Sequence, residues 1–328
     1  KYMMSSKTYL NLLRGWVSLI LRLSISASSS IIHCRSYIAT YAATFVTNKP
    51  IIFDMRSLWV LENISAKNLI QGSSICEKWF QVERHCLNKS SVSLCVSNWM
   101  CEYIKDKYNI SSYQLVPIGV DIERFRFNSE ERLKKRKLLS WENECILVYS
   151  GSLGLSGINQ SALVDFLKEV KAKNRKTKVL FLTQSSSKEI ISLCENAKIN
   201  KDEYIVIHDG FQNIRSWLSA ADIGIHALPM QLDSRSRLGT KIVEYFANGL
   251  PVMVNSHVGA AAEIIKDNHL GIVIDSSEDH LVDFINTDFG DYRKIYSERS
   301  SKYAEEVFCF KKISNTYKKI YEKVEAYG

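Results

Sequence analysis

The feature that most constrains this chain is its rhythm: short apolar runs alternate with helix-like stretches, in two blocks separated by a charged segment. In the first block, SSIIHCRSY reads as a short buried strand and turn, and SYIATYAATFVTN as a helix ended at Asn48-Lys49-Pro50. PIIFDMRS is a second strand with Asp54 and Arg56 at its carboxyl end. An amphipathic stretch from about Ile75 to Leu87, the strand SVSLCVS, the helix NWMCEYIKDKY and the strand and turn YQLVPIGVD complete it. Asn128 to Leu139, with SEERLKKRKLL at its centre, sits between the blocks and marks a domain junction; a solvated helix face reads the same way. The second block runs CILVYSG, SALVDFLKEVKAKN, KVLFLTQ, KEIISLCENAKI, YIVIHDG, the helix Ile214 to Ala220, DIGIHAL, GTKIVEYFANG, PVMVNS, GAAAEIIKDN and GIVID, with closing helices from about Glu278 to Ala326. Such alternation predicts βαβ units on parallel sheets. The expected fold is α/β, with two Rossmann-like domains facing a cleft. Residues 1–127 form the N-terminal, acceptor-side domain and 128–305 the C-terminal domain. Residues 306–328 form a C-terminal helix that packs back on the first.

Composition narrows the class. The 328 residues are 46% hydrophobic and 24% charged, with four prolines and fourteen glycines, which fits a globular chain of two domains. The net charge of +8 suits anionic lipid, nucleotide phosphates or acidic polysaccharide. The basic residues are spread along the chain rather than gathered in an aromatic-interleaved stripe, so nucleic acid is not an expected partner. The cysteines Cys34, Cys76, Cys86, Cys95, Cys101, Cys145, Cys194 and Cys309 form no C-x-x-C pair and no zinc spacing. Free buried thiols point to a reducing compartment, hence a cytoplasmic location. No segment reaches the ~18 apolar residues of a membrane span. LRGWVSLILRL, bracketed by Arg14 and Arg22, reads as a core-facing helix, with a membrane-surface helix as the alternative.

In open parallel sheets, ligands bind beyond the carboxyl ends of the strands. The segments there are His33 to Ser36, Asp54 to Ser57, Gly119 to Asp121, Gly151 to Gly157, His208 to Phe211 and Asp233 to Glu244. The last is the most informative. In SRSRLGTKIVEYFANGLPVMVNSHVG a polar, basic loop enters a helix carrying Lys241 and Glu244, three apart and so on one face. Free backbone N–H groups at the helix start, with Arg235, Arg237 and Lys241, favour a diphosphate. Glu244, one turn in, can accept hydrogen bonds from ribose hydroxyls. An exposed i,i+3 ion pair explains the same spacing equally well.

E-Y-F-A-N-G-L-P-V resembles the donor-site helix of family 4 glycosyltransferases, retaining enzymes of GT-B fold. The family reads Glu, seven residues, Glu, then Ala-x-Gly-x-Pro-Val. Glu244 matches the second glutamate, which in the family holds the ribose, and Ser236 stands where the first would fall. A subgroup reads Ser-Pro-x-Lys-x-x-Glu-Tyr, and L-G-T-K-I-V-E-Y is similar, without the proline. VSNWMCEYIKDKY with LVPIGVDIERF, WLSAADIGIHALP, VYSGSLG, IIHCRSY and IIFDMRSLW resemble further family segments in the family's order.

The resemblance implies transfer of a hexosyl group from a nucleotide diphosphate sugar to an acceptor hydroxyl with retention. The acceptor would be a glycan or lipid-linked glycan in cell-surface polysaccharide or glycolipid synthesis, at the inner face of the membrane with peripheral membrane contact. It implies nucleotide-sugar contacts from Gly151, Ser152, Arg235, Ser236, Arg237, Lys241 and Glu244. It places Asp54 and Arg56 near the transferred sugar, although Asp54 also reads as a strand-end cap or a partner of Arg56. The family's phosphate turn usually offers Arg and Lys where this chain has Ser152 and Ser156, so Arg235, Arg237 or Lys241 would supply the charge. With no Asp-x-Asp motif, no metal or other cofactor is expected. His33 and Arg35 can reach an acceptor, but a buried, hydrogen-bonded His33 is the plainer reading. His208 either flanks a stacked base or is structural. The chain opens on Lys1 with no strand and glycine-rich loop before Ser29, so an incomplete N-terminal domain is expected. Two alternatives stand beside the transferase: an inactive GT-B-like binding module and a sugar-nucleotide epimerase.

Overall fold

The computed structural model describes residue 15 and residues 29–153, 160–173, 177–210, 213–274 and 289–327. The run LRGWVSLILRL apart from Gly15, the residue Ser156 and the predicted helix start at Glu278 lie outside the described residues. The described chain divides into two compact units, one ending at Pro117 and resuming at Ser314, the other spanning Ile118–Ile313. Both are built on parallel sheets, as the alternation predicts.

The first unit carries β1 (Ile32–Arg35), β2 (Ile51–Asp54), β3 (Val92–Cys95) and β4 (Tyr113–Leu115) in spatial order 1-2-3-4. All four residues of β2 are buried, and Ile51, Ile52 and Phe53 give the continuous apolar signature of an inner strand covered on both faces. The helices are α1 (Tyr37–Val46), α2 (Trp59–Ser65), α3 (Ser74–Lys89) and α4 (Asn98–Tyr108). Helices α3 and α4 start where a serine caps them: Ser73 accepts from the Cys76 N–H and Ser97 from the Met100 N–H. Helix α4 stops at Asn109, which takes the left-handed conformation at φ 56°.

The second unit opens with α5 (Ile122–Phe125) and α6 (Ser129–Leu139), the latter capped by Asn128. Its sheet has six parallel strands: β5 (Cys145–Ser150), β6 (Thr177–Leu182), β7 (Tyr204–Ile207), β8 (Ile223–His226), β9 (Val252–Asn255) and β10 (Gly271–Ile274). The spatial order is 10-9-8-5-6-7. Helices α7 (Gln160–Lys173), α8 (Ser187–Asn196), α9 (Ile214–Ala220), α10 (Thr240–Ala247), α11 (Gly259–Asn268), α12 (Phe289–Tyr303) and α13 (Phe310–Tyr327) follow in chain order. Period-two alternation along β5 serves both faces. Ile146 and Val148 pack with Trp217, Tyr245, Phe246 and Phe308, whereas Leu147 and Tyr149 pack with Leu163, Leu167 and Leu193.

The segment read as a junction is fastened to this second sheet. Arg132 and Arg136 of α6 pair with buried Asp222 at 2.5 and 3.1 Å, and Asp222 also accepts the Ile146 N–H at 2.8 Å. Arg132 further donates to the carbonyls of Ser219, Ala220 and Ala221 at the end of α9, where a helix presents unpaired acceptors and partial negative charge. Asn248, fully buried after α10, donates to the Phe125 carbonyl at 2.8 Å and accepts from Arg293 at 2.9 Å. Gly249 sits at φ +69°, and a Cβ there would lie 2.4 Å from Ser297 Oγ. The A-N-G part of the motif is therefore architectural. All eight cysteines are free thiols, seven of them buried. Among the described residues, no helix is long and apolar enough to cross a membrane.

Candidate functional site

The order 10-9-8-5-6-7 places a switch between β5 and β8. From there the connections run outward in opposite directions and the loops diverge, opening a crevice at the strands' carboxyl ends. A cavity of about 270 Å³ lies there. One wall is the turn Ser150-Gly151-Ser152 after β5, and another is Thr183 and Gln184 after β6. Ile207, Asp209, Ile214 and Trp217 form an apolar and aromatic side, and Lys241 from the first turn of α10 completes the lining. Gly151 holds φ +149°, a backbone region that a side chain would strain, and donates its N–H to the Leu182 carbonyl at 3.0 Å.

Asp209 organises the apolar side. Its carboxylate accepts from Gly210 N–H at 2.8 Å, Asn213 Nδ2 at 2.8 Å and Trp217 Nε1 at 2.9 Å. The Asn213 bond, then the Trp217 bond, hold its pKa below the usual aspartate value. The indole plane is thereby fixed. His208 is structural in this arrangement. Its Nδ1 lies 2.9 Å from the Thr183 carbonyl, which can only accept, so Nδ1 carries the proton and Nε2 accepts from Ser187 Oγ at 3.1 Å.

The predicted pair on α10 is present but not as an exposed ion pair. Lys241 Nζ reaches both oxygens of Glu244, at 3.1 and 2.9 Å, and Glu244 is only 4% exposed. Burial raises the Glu244 pKa, and the Lys241 charge and hydrogen bond, then Arg124, oppose it. A lysine touching both a cavity and a buried carboxylate offers the cavity a cation whose position is fixed from behind. The other cations are placed differently. Arg235, in the 3-10 turn Ser234–Ser236, is exposed, and Arg237 is held 2.6 Å from buried Asp233. Ser236 is buried and donates to the Asp233 carbonyl at 2.7 Å. The structure therefore brings Gly151, Ser152, Lys241 and Glu244 together and sets Arg235, Ser236 and Arg237 in the preceding turn.

Sequence reasoning overlooked Thr183, Gln184, Trp217 and His226. The first two directly follow the carboxyl end of β6, and the carboxyl-end rule could have found them. Trp217 lies inside a helix and gave no signal. His226 ends β8, is 8% exposed, and its Nδ1 has no hydrogen-bond partner among the described residues. Burial, reinforced by the Arg237 charge, pushes its pKa down to about 4, so the ring is neutral near pH 7.

In the first unit, the ends of β1 and β2 carry a second cluster. Buried Asp54 has His33 Nε2 at 3.8 Å and Arg56 Nη1 at 3.9 Å. Arg56 adopts φ 58°, so the chain turns sharply to bring its guanidinium back to the strand end. His33 Nδ1 lies 2.6 Å from the Tyr321 hydroxyl, and the Tyr317 ring is tilted against the imidazole. His33 is hydrogen-bonded as expected but exposed rather than buried, because it faces outward at the sheet edge beside α13. Burial, then the Asp54 charge, raises the pKa of both Tyr317 and Tyr321. Among the described residues, no group of three or more His, Cys, Asp or Glu side chains is arranged to hold a metal ion.

Residues 144–287 match the model of the family Glycosyl transferases group 1. An uncharacterised glycosyltransferase of Methanocaldococcus jannaschii is 24% identical over 246 residues, covering 71% of this chain and 58% of its own length. The chain thus spans little more than half of that relative. Among solved structures, sucrose-phosphate synthase from Thermosynechococcus elongatus superposes with a TM-score of 0.76 at 14% identity, covering 100% of this chain and 82% of its own. HepE from Anabaena in complex with UDP superposes at 0.73 with 16% identity, covering 93% and 82%. HepE has also been solved with UDP-glucose. The fold is that of GT-B proteins, and the match to the glycosyl transferases group 1 model lies in the second unit.

Proposed function

With a glycosyl transferases group 1 domain as premise, we propose that this chain is a family 4 glycosyltransferase. It moves a hexosyl group from a nucleoside diphosphate sugar to an acceptor hydroxyl with retention of anomeric configuration. The observation that carries the reading is the switch-point cavity, with its glycine turn on one side and the Lys241–Glu244 pair on the other. The fixed indole of Trp217 and the side chains of Ile207 and Ile214 offer an apolar face to a nucleobase. Lys241 and the backbone of the Ser150-Gly151-Ser152 turn face the diphosphate, whose charge grows as the sugar departs. Glu244 accepts from ribose hydroxyls. Arg235, Ser236 and Arg237 border the sugar from the turn before α10.

A nucleotide-sugar donor is also supported by the UDP and UDP-glucose held by the HepE structures. In the first unit, Asp54 and Arg56 are the proposed catalytic residues. The acceptor class is a glycan or lipid-linked glycan of polysaccharide or glycolipid synthesis, met in the cytoplasm at the membrane surface, to which the net charge of +8 is suited. The residues proposed to neutralise the leaving group are Lys241 and backbone N–H groups, with no metal assigned.

The test is a thermal-shift screen of UDP, ADP, GDP and their hexose conjugates, followed by product analysis with the best binder. A ligand specific to the folded state raises the melting temperature. Transferred sugar with the donor's anomeric configuration supports the proposal. An altered nucleotide sugar without transfer identifies an epimerase, and binding without turnover identifies a binding module.

A further inference from the structure

One polar contact ties three separate sequence motifs into a single device. Pairing between β5 and β8 runs through Leu147–Ile223 and Val148–Gly224 and then ends. The strands separate there to open the switch-point crevice. Beyond that point the Gly151 N–H turns to β6, where it meets the Leu182 carbonyl. The preceding N–H, that of buried Ser150, points the other way, since alternate residues of a strand direct their polar groups to opposite sides. It is met by the Tyr245 hydroxyl, which accepts it at 2.7 Å.

Tyr245 reaches that position only because β8 has no side chain in its path. It is fully buried, and its ring lies over Gly224, where a Cβ would stand 2.4 Å from Cδ2 and 2.6 Å from Cγ. The Tyr of E-Y, the Gly of A-D-I-G and the Ser-Gly of V-Y-S-G therefore meet at one hydrogen bond. Without it, Ser150 would leave a buried backbone donor unpaired at the root of the cavity's turn.

We infer that Tyr245 is a positioning residue whose hydroxyl sets the Ser150-Gly151-Ser152 turn for a diphosphate. It acts through the backbone rather than by touching ligand. The inference rests on the nucleotide reading of the cavity. Lys241 and Glu244 hold the ligand directly, whereas Tyr245 fixes the wall opposite them.

The experiment compares wild type with Tyr245→Phe, which keeps the ring over Gly224 and removes only the acceptor. Calorimetric affinities are measured for UDP, ADP and GDP and for uridine, adenosine and guanosine. The expected result is a loss of about tenfold for the best-binding diphosphate. The matching nucleoside, which does not reach the turn, should stay within about twofold. An unchanged diphosphate affinity, or equal losses for diphosphate and nucleoside, overturns the inference. Hydrogen exchange of the wild type gives a second measurement that needs no variant. The Ser150 amide should be as protected as its ladder-bonded neighbours, and fast exchange there overturns the inference even if the variant does not fold. If wild type binds none of the six ligands, the nucleotide reading fails, while the exchange result still decides the Tyr245 contact.

Discussion

At the carboxyl end of the six-stranded sheet, the candidate site is a cavity walled by a glycine turn, a fixed indole and a lysine held by a buried glutamate. At the carboxyl end of the four-stranded sheet, the equivalent position carries His33, Asp54 and Arg56 with two tyrosines, and His33 is exposed. The strand order explains part of the contrast. The larger sheet reverses direction between β5 and β8 and so must open a crevice, whereas order 1-2-3-4 has no such reversal among the described strands. A cavity whose partners are satisfied in advance suits recognition of a constant ligand part. A cluster of titratable groups with contacts near 4 Å suits chemistry that tightens once substrate arrives.

The comparison is sharpened most by Asp54→Asn. If the first sheet serves chemistry, turnover should fall about a thousandfold while nucleotide affinity stays within about twofold. Equal losses in both would break the division of labour, and steady-state kinetics with calorimetry separates them.

The next effect is on stability and belongs to the second sheet. The folded His226 pKa of about 4 lies below the ordinary histidine value of 6.5. The unfolded chain therefore binds more protons between these values. The stabilising contribution is complete above the unfolded pKa and is lost as pH falls through 6.5 toward 4. His226→Leu should remove up to about 3 kcal/mol of that acid sensitivity. Buried Glu83 and Glu244 have raised pKa values and act in the opposite sense, but they are common to both proteins and cancel in the difference. Denaturant melts at pH 7 and pH 4.5 check this, and parallel curves for the two proteins would refute it.

Glu244→Ala should lower the affinity of the best-binding nucleoside diphosphate about thirtyfold, or about 2 kcal/mol. It should also abolish most of the ligand-induced thermal shift. An unchanged shift would remove the second sheet's main assignment. The smallest effect is a control in the first unit: Ser73→Ala removes the cap of α3 and should cost about 1 kcal/mol of stability with no change in nucleotide affinity.

Much of this architecture was legible in the chain. Alternating apolar runs gave both parallel sheets, because a strand covered on both faces is apolar over most of its length, as 51–53 of β2 and 145–149 of β5 are. The Lys241 and Glu244 spacing correctly placed both on one helix face, but the same spacing fits an exposed pair, and only packing shows that Glu244 is buried. Arg235 and Arg237 looked equivalent to Lys241 as cations. Their separation came from a 3-10 turn that exposes one and gives the other to Asp233, a choice of backbone path that charge patterning does not encode.

By itself, then, the sequence determined what is periodic and local: strand and helix alternation, and the shared helix face of Lys241 and Glu244. Tertiary structure alone decided which distant residues share an atom-scale contact, as when Tyr245 crosses Gly224 to take the Ser150 N–H. The reason is physical. Periodicity follows from backbone geometry repeated along the chain, whereas a contact across 95 residues depends on the order in which the strands assemble into the sheet.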